Sequence, residues 1–480
     1  MSNLKRLAGE TVLYGLGSII PRFLNFLLVP LHTAVFATDA YGVITKLLAY
    51  VGVMNTIYMF GMETAYFRFA SKPGANEQRI FNLTQTAVLS ISGTLTVVFI
   101  FLADPIAEAL QIPSRPDLII WLALVMFVDA AVAIPFARLR LQKKALRFAS
   151  LKISNVAILI GLNVYFLLYA SGSIPDVGFV FIANLIANTF YILFFARVLL
   201  LWRPVFDREL SPVIFKYSFP IMLTGVAGLT YEMFSRMTLD VWLPENFYPD
   251  MSNADALGIF GGAYKLATLM ALAIQAFRYA AEPFFFSSTH EKNSPQLFAR
   301  VNHYFIIVCC ILFLGVSINL DIIKYFLGQS AYWKGVHVVP ILLLAYLFSG
   351  AYYNFSTWFK LTDKTYFGTI LTLFGLIITV VANYILIPLK GFEGSSWATL
   401  ISAVIVASTC YLLGQKYYPI PYKIGKGLAY ILITAMIVYS VNTLTFSSQA
   451  LATSFHLLVI TFYLTGVYFL ERKEFKRTQA

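Results

Sequence analysis

The sequence predicts an all-α integral membrane protein of about fourteen transmembrane helices: two six-helix lobes followed by two further helices. Three observations predict it. Of 480 residues, 59% are hydrophobic and only 12% charged, against roughly 25% charged in a soluble domain, so the chain has too little polar surface to cover a water-soluble globule. The apolar residues come in runs near the roughly 20 that a helix needs to cross a hydrocarbon core. The cations gather in alternate connectors, the asymmetry that orients a membrane chain.

The runs fall in order along the chain. The first, about 11–34, follows MSNLKRLAGE and is too long and too poorly punctuated for a cleaved leader, so it is read as a retained helix. Runs near 41–62, 80–102, 118–137, 153–170 and 177–200 complete a first lobe at residues 1–201. Runs near 215–243, 257–283, 302–320, 335–358, 366–388 and 395–413 make a second lobe at 202–414. The last two, 427–444 and 451–470, form an appended pair within 415–480. Connectors are short: even ADPIAEALQIPSRPD runs only about fifteen residues, which leaves no extramembrane domain of useful size.

A formal net charge of +12 raises the question of nucleic acid, and the placement of the charges answers it. With the N-terminus in the cytoplasm, 26 of the 35 Lys and Arg fall on cytoplasmic segments and helix ends, 4 on outer loops and 5 within helices. The densest group, Arg138, Arg140, Lys143, Lys144, Arg147 and Lys152, follows the fourth helix, and the C-terminal ERKEFKR is also inside. The excess is therefore a topology signal that places both termini in the cytoplasm, and a nucleic-acid partner is excluded. Cys309, Cys310 and Cys410 lie in apolar runs without metal or disulfide spacing. The histidines (His32, His290, His303, His337, His456) are scattered. No P-loop, HExxH or nucleotide-binding glycine motif is present, so neither a cofactor, a metal nor an enzymatic activity is expected.

The chain also repeats itself weakly. Arg22 in PRFLNFLLVP stands eight residues before Pro30, and Arg236 in SRMTLDVWLP eight before Pro244. DAYGV (Asp39 to Val43) opens the second helix and DALGI (Asp255 to Ile259) the eighth. Lys46 precedes Glu63 by 17 residues, as Lys265 precedes Glu282. RLQKK (Arg140 to Lys144) matches KLTDK (Lys360 to Lys364). These matches keep their order at offsets of 214 to 220. An even number of helices per copy puts both copies the same way round, with a pseudo-two-fold axis along the membrane normal and a central cavity between the lobes.

Cations at the bilayer centre cost about 2.5–3.5 kcal/mol each on insertion scales, so Arg22, Lys46, Arg236, Lys265 and Arg278 are expected to face a polar interior. In the first helix Tyr14, Ser18, Arg22 and Asn25 share a face, and in the second Lys46 and Tyr50 do. In the eighth, Tyr264, Thr268, Gln275, Arg278 and Glu282 line up. Glu232, Arg236 and Asp240 form an i, i+4, i+8 row that reads equally as a set of mutually neutralising charges. Glu63 and Glu282 lie near helix ends and read more simply as caps or loop partners. Asp129 is the main acid deep in the first lobe, and two cations, Arg22 and Lys46, against it leave that half of the cavity positive. A positive cavity with tyrosines and amides such as Tyr50, Tyr264, Tyr352 and Asn354 suits a pyrophosphate bearing sugars. Pro21, Pro135 and Pro220 are candidate bending points.

YGLGSIIPRFLNFLLVPL, GMETAYFRF, IPFARLRLQ, YSFPIMLTGVAG and FRYAAEPFFF together resemble the polysaccharide-transporter branch of the multidrug/oligosaccharidyl-lipid/polysaccharide exporter superfamily, over nearly the whole chain. The resemblance implies a bacterial inner-membrane flippase for undecaprenyl-pyrophosphate-linked oligosaccharides, working by alternating access. It also implies cavity cations that meet the pyrophosphate, coupling to an ion gradient, and neighbours among the glycosyltransferases or polymerase of the same pathway. Arg22 matches the first-helix cation of lipid-carrier flippases. The first-helix acid of many multidrug exporters is absent, which disfavours a cation-coupled drug antiporter. A lipid II flippase remains the alternative.

Overall fold

The structure, a computed structural model, describes residues 15, 17, 19–170, 172, 176–287 and 293–479, without the side chains of 280, 282–284, 286, 287 and 473–479. Tyr14 and Ser18 therefore lie outside the described residues, as does the side chain of Glu282. In hydrocarbon every backbone N–H and C=O must find its partner within the chain, so each apolar run becomes a helix. In chain order these are α1 (Ile19–Val35), α2 (Thr38–Met59), α3 (Glu77–Phe101), α4 (Pro116–Leu141), α5 (Ala145–Tyr165), α6 (Gly178–Leu200) and α7 (Leu210–Trp242). They continue with α8 (Asn253–Ser287), α9 (Ser294–Ser317), α10 (Val339–Phe355), α11 (366–390), α12 (392–417), α13 (Ile424–Asn442) and α14 (Gln449–Gln479). Among the described residues there are no strands.

Among the described residues twelve helices are long and apolar enough to cross a membrane; α1 is shorter there, and α11 and α12 belong to one continuous stretch, Tyr366–Tyr417. Gly391 divides that stretch at φ 58° and ψ −135°, a conformation open to glycine because it has no Cβ. The Tyr248 ring and hydroxyl fill the place a Cβ would take. The outer surface is apolar, with Phe101, Leu200 and Phe462 at 82%, 84% and 82% exposure. Water would penalise such a surface and acyl chains accept it. The chain is a multi-pass membrane protein.

Within the first half α3 packs on α4, and α4 and α5 pack on α6; within the second α7 and α10 pack on the α11–α12 stretch. α13 and α14 dock on α9. The halves meet chiefly through α2, which packs along both α7 and α8. Here the two copies of the repeated sequence touch. A Cβ at Gly42 would collide with the Ala254 carbonyl, and one at Gly258 with the Thr38 carbonyl, so the start of α2 crosses the start of α8 backbone to backbone. Thr38 Oγ1 donates to Asp255 across the crossing. The Tyr332 hydroxyl donates to the Phe36 and Ala37 carbonyls at 2.9 and 3.1 Å, and Gln329 Nε2 to the Ala34 carbonyl at 3.0 Å. This end of the molecule is sealed.

The crossing makes a testable contrast. Gly258→Leu overpacks it and is expected to destabilise the protein by about 1–3 kcal/mol, read as a lowered unfolding midpoint in detergent. Gly161→Ala, where a Cβ meets nothing within 4 Å, is expected to be neutral or to stabilise by up to about 1 kcal/mol. Equal losses in both would contradict the backbone crossing.

Candidate functional site

Away from the seal the helices part around a cavity of about 1730 Å³, counting its open mouth. Its α8 wall begins at Ala271, eighteen residues from Asn253 at the helix start, which is about 27 Å along the helix axis. The wall is built almost wholly from α7, α8, α10, α11 and α12; α1 contributes Arg22. Arg22 Nη1 donates to Gln275 Oε1 at 2.5 Å, bridging α1 to α8. One turn further along α8, the Arg278 guanidinium lies 4.5 Å from the ring centre of Tyr353. Both arginines are exposed to the cavity, and neither has an ion-pair partner among the described residues. Stacking on an aromatic face leaves the edge N–H groups of a guanidinium free to donate. Arg278, stacked on Tyr353, and Arg22, bonded to Gln275, thus place two guanidiniums on one cavity wall, chemistry that can hold an anion. Glu232 of α7 also lines the cavity, exposed and without a hydrogen-bond or ion-pair partner among the described residues.

The remaining predicted site residues lie elsewhere. Lys46 does not face the cavity: it is buried at the α2–α7 contact in an ion pair with Asp240, their side chains 4% and 3% exposed. Its Nζ also donates to the Leu110 carbonyl at 2.7 Å. A cation held out of water needs an opposite charge and further acceptors, and both are supplied here. The i, i+4, i+8 row on α7 therefore does not neutralise itself, because Asp240 is taken by the other half of the molecule. Arg236 sits 4.3 Å from the ring centre of Tyr264, half-buried, and leaves its Nε without an acceptor. Lys265 is half-buried on α8 and outside the cavity lining. Asp129 is enclosed by amides from two helices, accepting from Asn188 Nδ2 at 2.8 Å and Asn55 Nδ2 at 3.5 Å. Glu63 pairs with Arg140, the bland role expected of it.

The aromatic expectations divide in the same way. Tyr352 lines the cavity, whereas the Tyr50 hydroxyl donates to the Met237 carbonyl at 3.4 Å and Asn354 Nδ2 to Asn302 Oδ1 at 3.1 Å. Tyr231, Tyr279, Tyr353 and Ser349 line it without having been singled out. Continuous with the cavity, through Tyr231, Glu232, Tyr346 and Ser349, is a side pocket of about 410 Å³ that reaches Tyr264, Thr379 and Thr399.

A family model described as polysaccharide biosynthesis protein matches residues 7–289, more than half of the chain. The chain belongs to the polysaccharide biosynthesis protein family. Its fold is similar to that of a lipid II flippase, MurJ, in an inward closed conformation, at 15% identity and TM-score 0.76, covering 97% of this chain and 100% of that one. It is also similar to a multidrug resistance MATE family transporter of the MOP superfamily in inward-facing form (15% identity, TM-score 0.61) and outward-facing form (15% identity, TM-score 0.60). The two forms share 85% coverage of this chain and reach 94% and 93% of the others. No curated protein gives a significant match to the chain. The fold of this family member is thus that of a membrane transporter, shared by lipid and drug carriers.

For this family member the buried pair yields a double-mutant test. Lys46→Met and Asp240→Leu, made singly, leave an uncompensated buried charge and are each expected to destabilise by about 3–5 kcal/mol. Together they are expected to recover most of that loss, measured by denaturant unfolding in detergent. Additive losses would show that the two side chains act independently.

Proposed function

We propose that the chain carries an undecaprenyl-pyrophosphate-linked oligosaccharide from the cytoplasmic to the outer leaflet of a bacterial inner membrane, for surface polysaccharide synthesis, by alternating access. The observation that carries this reading is the pair of guanidiniums, Arg22 and Arg278, on one cavity wall with no ion-pair partner among the described residues. Each fork matches phosphate oxygens bidentately, and burying either without an anion is costly in a membrane. The Lys/Arg bias of the connectors puts the sealed end outside and the cavity mouth inside, where such lipids are made. Beside the cavity, between α8 and α9, runs an apolar groove of about 640 Å³ lined by Ile274, Phe277, Phe305 and Leu312. It shares Ile274 with the cavity, so a prenyl chain lying there brings its diphosphate within reach of Arg278. Release to the other side requires the Gly42–Gly258 crossing to open and Lys46 to leave Asp240. A lipid II flippase is the second reading, favoured by the whole-length likeness to MurJ.

In cells that depend on this chain, Arg22→Ala or Arg278→Ala is expected to lower transport by about tenfold or more, the worth of one charge-assisted hydrogen-bonding group. Expression and membrane insertion stay unchanged. The readout is lipid-linked oligosaccharide accumulating in the inner leaflet, and the identity of that lipid separates the two readings. Normal surface polysaccharide in both variants would contradict the proposal.

A further inference from the structure

Glu232 has no place in diphosphate recognition, since a carboxylate repels the group that Arg22 and Arg278 attract. It nevertheless stands exposed at the mouth of the side pocket, with no partner among the described residues. An unpaired intramembrane acid is expensive and is retained where it meets a ligand or water. Behind it the pocket walls are rich in neutral hydroxyls and ring faces: Tyr231, Tyr264, Tyr346, Ser349, Thr379 and Thr399. Two of these hydroxyls are already committed, Ser349 Oγ to the Ala345 carbonyl at 2.9 Å and Thr399 Oγ1 to the Ser395 carbonyl at 2.8 Å. Thr379 differs. It is 2% exposed, lines the pocket, and its Oγ1 has no hydrogen-bond partner among the described residues. A buried hydroxyl without a partner costs about 1–3 kcal/mol, and a polar ligand in this pocket would remove that cost. Among the described residues no cation lines the pocket itself, and Arg236 stands outside it, 4.3 Å from the ring centre of its wall residue Tyr264. Counting its opening into the main cavity, its empty space is about 410 Å³, more than a bare ion needs.

We propose that this pocket is a sugar subsite for a unit without a carboxylate, with Glu232 as its specificity residue. The Glu232 carboxylate accepts two sugar hydroxyls, the tyrosine rings cover the apolar faces of the ring, and Thr379 Oγ1 pairs with a further hydroxyl. A uronic acid entering the same place brings a second negative charge against Glu232 and is turned away. The proposal rests on the flippase reading, which supplies the diphosphate anchor at Arg22 and Arg278. It adds a division of labour: cations on one wall hold the phosphates, and one acid selects the attached sugar.

The test uses the full chain in nanodiscs and calorimetric titration with three short-chain probes: geranyl diphosphate, geranyl diphosphoryl-N-acetylglucosamine and geranyl diphosphoryl-glucuronic acid. The wild-type chain is expected to bind the N-acetylglucosamine probe about tenfold more tightly than geranyl diphosphate, and the glucuronic acid probe no more tightly than geranyl diphosphate. Glu232→Gln is expected to raise the glucuronic acid probe relative to geranyl diphosphate by about tenfold. Thr379→Val, nearly isosteric and so tolerated by the fold, is expected to reduce the N-acetylglucosamine advantage severalfold. If all three probes bind alike in an Arg22- and Arg278-dependent manner, or if Glu232→Gln leaves the glucuronic acid ratio unchanged, the subsite is overturned and the transport reading stands. If geranyl diphosphate itself fails to bind, or binds equally to the Arg22→Ala and Arg278→Ala variants, the transport reading falls and the subsite with it.

Discussion

The cost of holding a cation inside a membrane sorts this protein's charges. Each intramembrane Lys or Arg must meet an opposite charge, an aromatic face or water, and the three solutions occupy different places. Lys46 meets Asp240 in the contact between the halves. Arg236 meets the face of Tyr264. Arg22 and Arg278 are left in a wet cavity with donors to spare. The first two solutions hold helices together. The last leaves guanidinium donors facing the cavity, and the proposed transport role rests on that geometry more than on the number of arginines.

The seal and the cavity are two consequences of one crossing. Because Gly42 and Gly258 let α2 and α8 approach to backbone contact at one end, the bundles can splay about 27 Å further along, where bulky residues such as Tyr279 and Tyr353 line the gap. The Lys46–Asp240 pair lies about one turn along α2 from Gly42 and adds a polar lock to a steric one. Such a lock, built from a few short-range contacts, is the kind of element that two packed bundles can exchange between discrete arrangements. The lining is also lopsided, with Arg22 as the contribution of α1 and the rest from the second half.

Much of the fold was legible in the sequence, because apolar run length is a strong constraint in a bilayer and the connector charges are segregated. Arg22 was legible too: no acid stands between Glu10 and Asp39, so it had no local partner. Arg278 could be placed from its i, i+3 spacing with Gln275 on one face of α8. Lys46 was misread as a cavity cation because its partner lies in the other half of the chain, and no local pattern reveals a pairing at that separation. Glu232, Arg236 and Asp240 share a face of α7, yet each ends in a different environment, since neighbouring helices and not spacing decide the contacts. The repeated DAYGV and DALGI strings were visible as a repeat, but that their glycines touch each other is a property of the fold. Tyr353 and Ser349 were missed because α10 carries no strong polar stripe to mark a wet side, and Tyr231 because it lies one residue off the charged row of α7.

The most direct measurement of the central claim is a cryo-EM structure of the full chain in nanodiscs with geranyl diphosphate. The account predicts diphosphate density within hydrogen-bonding distance of both Arg22 and Arg278, with Lys46 still paired to Asp240. Density that avoids both arginines, or a Lys46 side chain released from Asp240 and turned to the ligand, would contradict it.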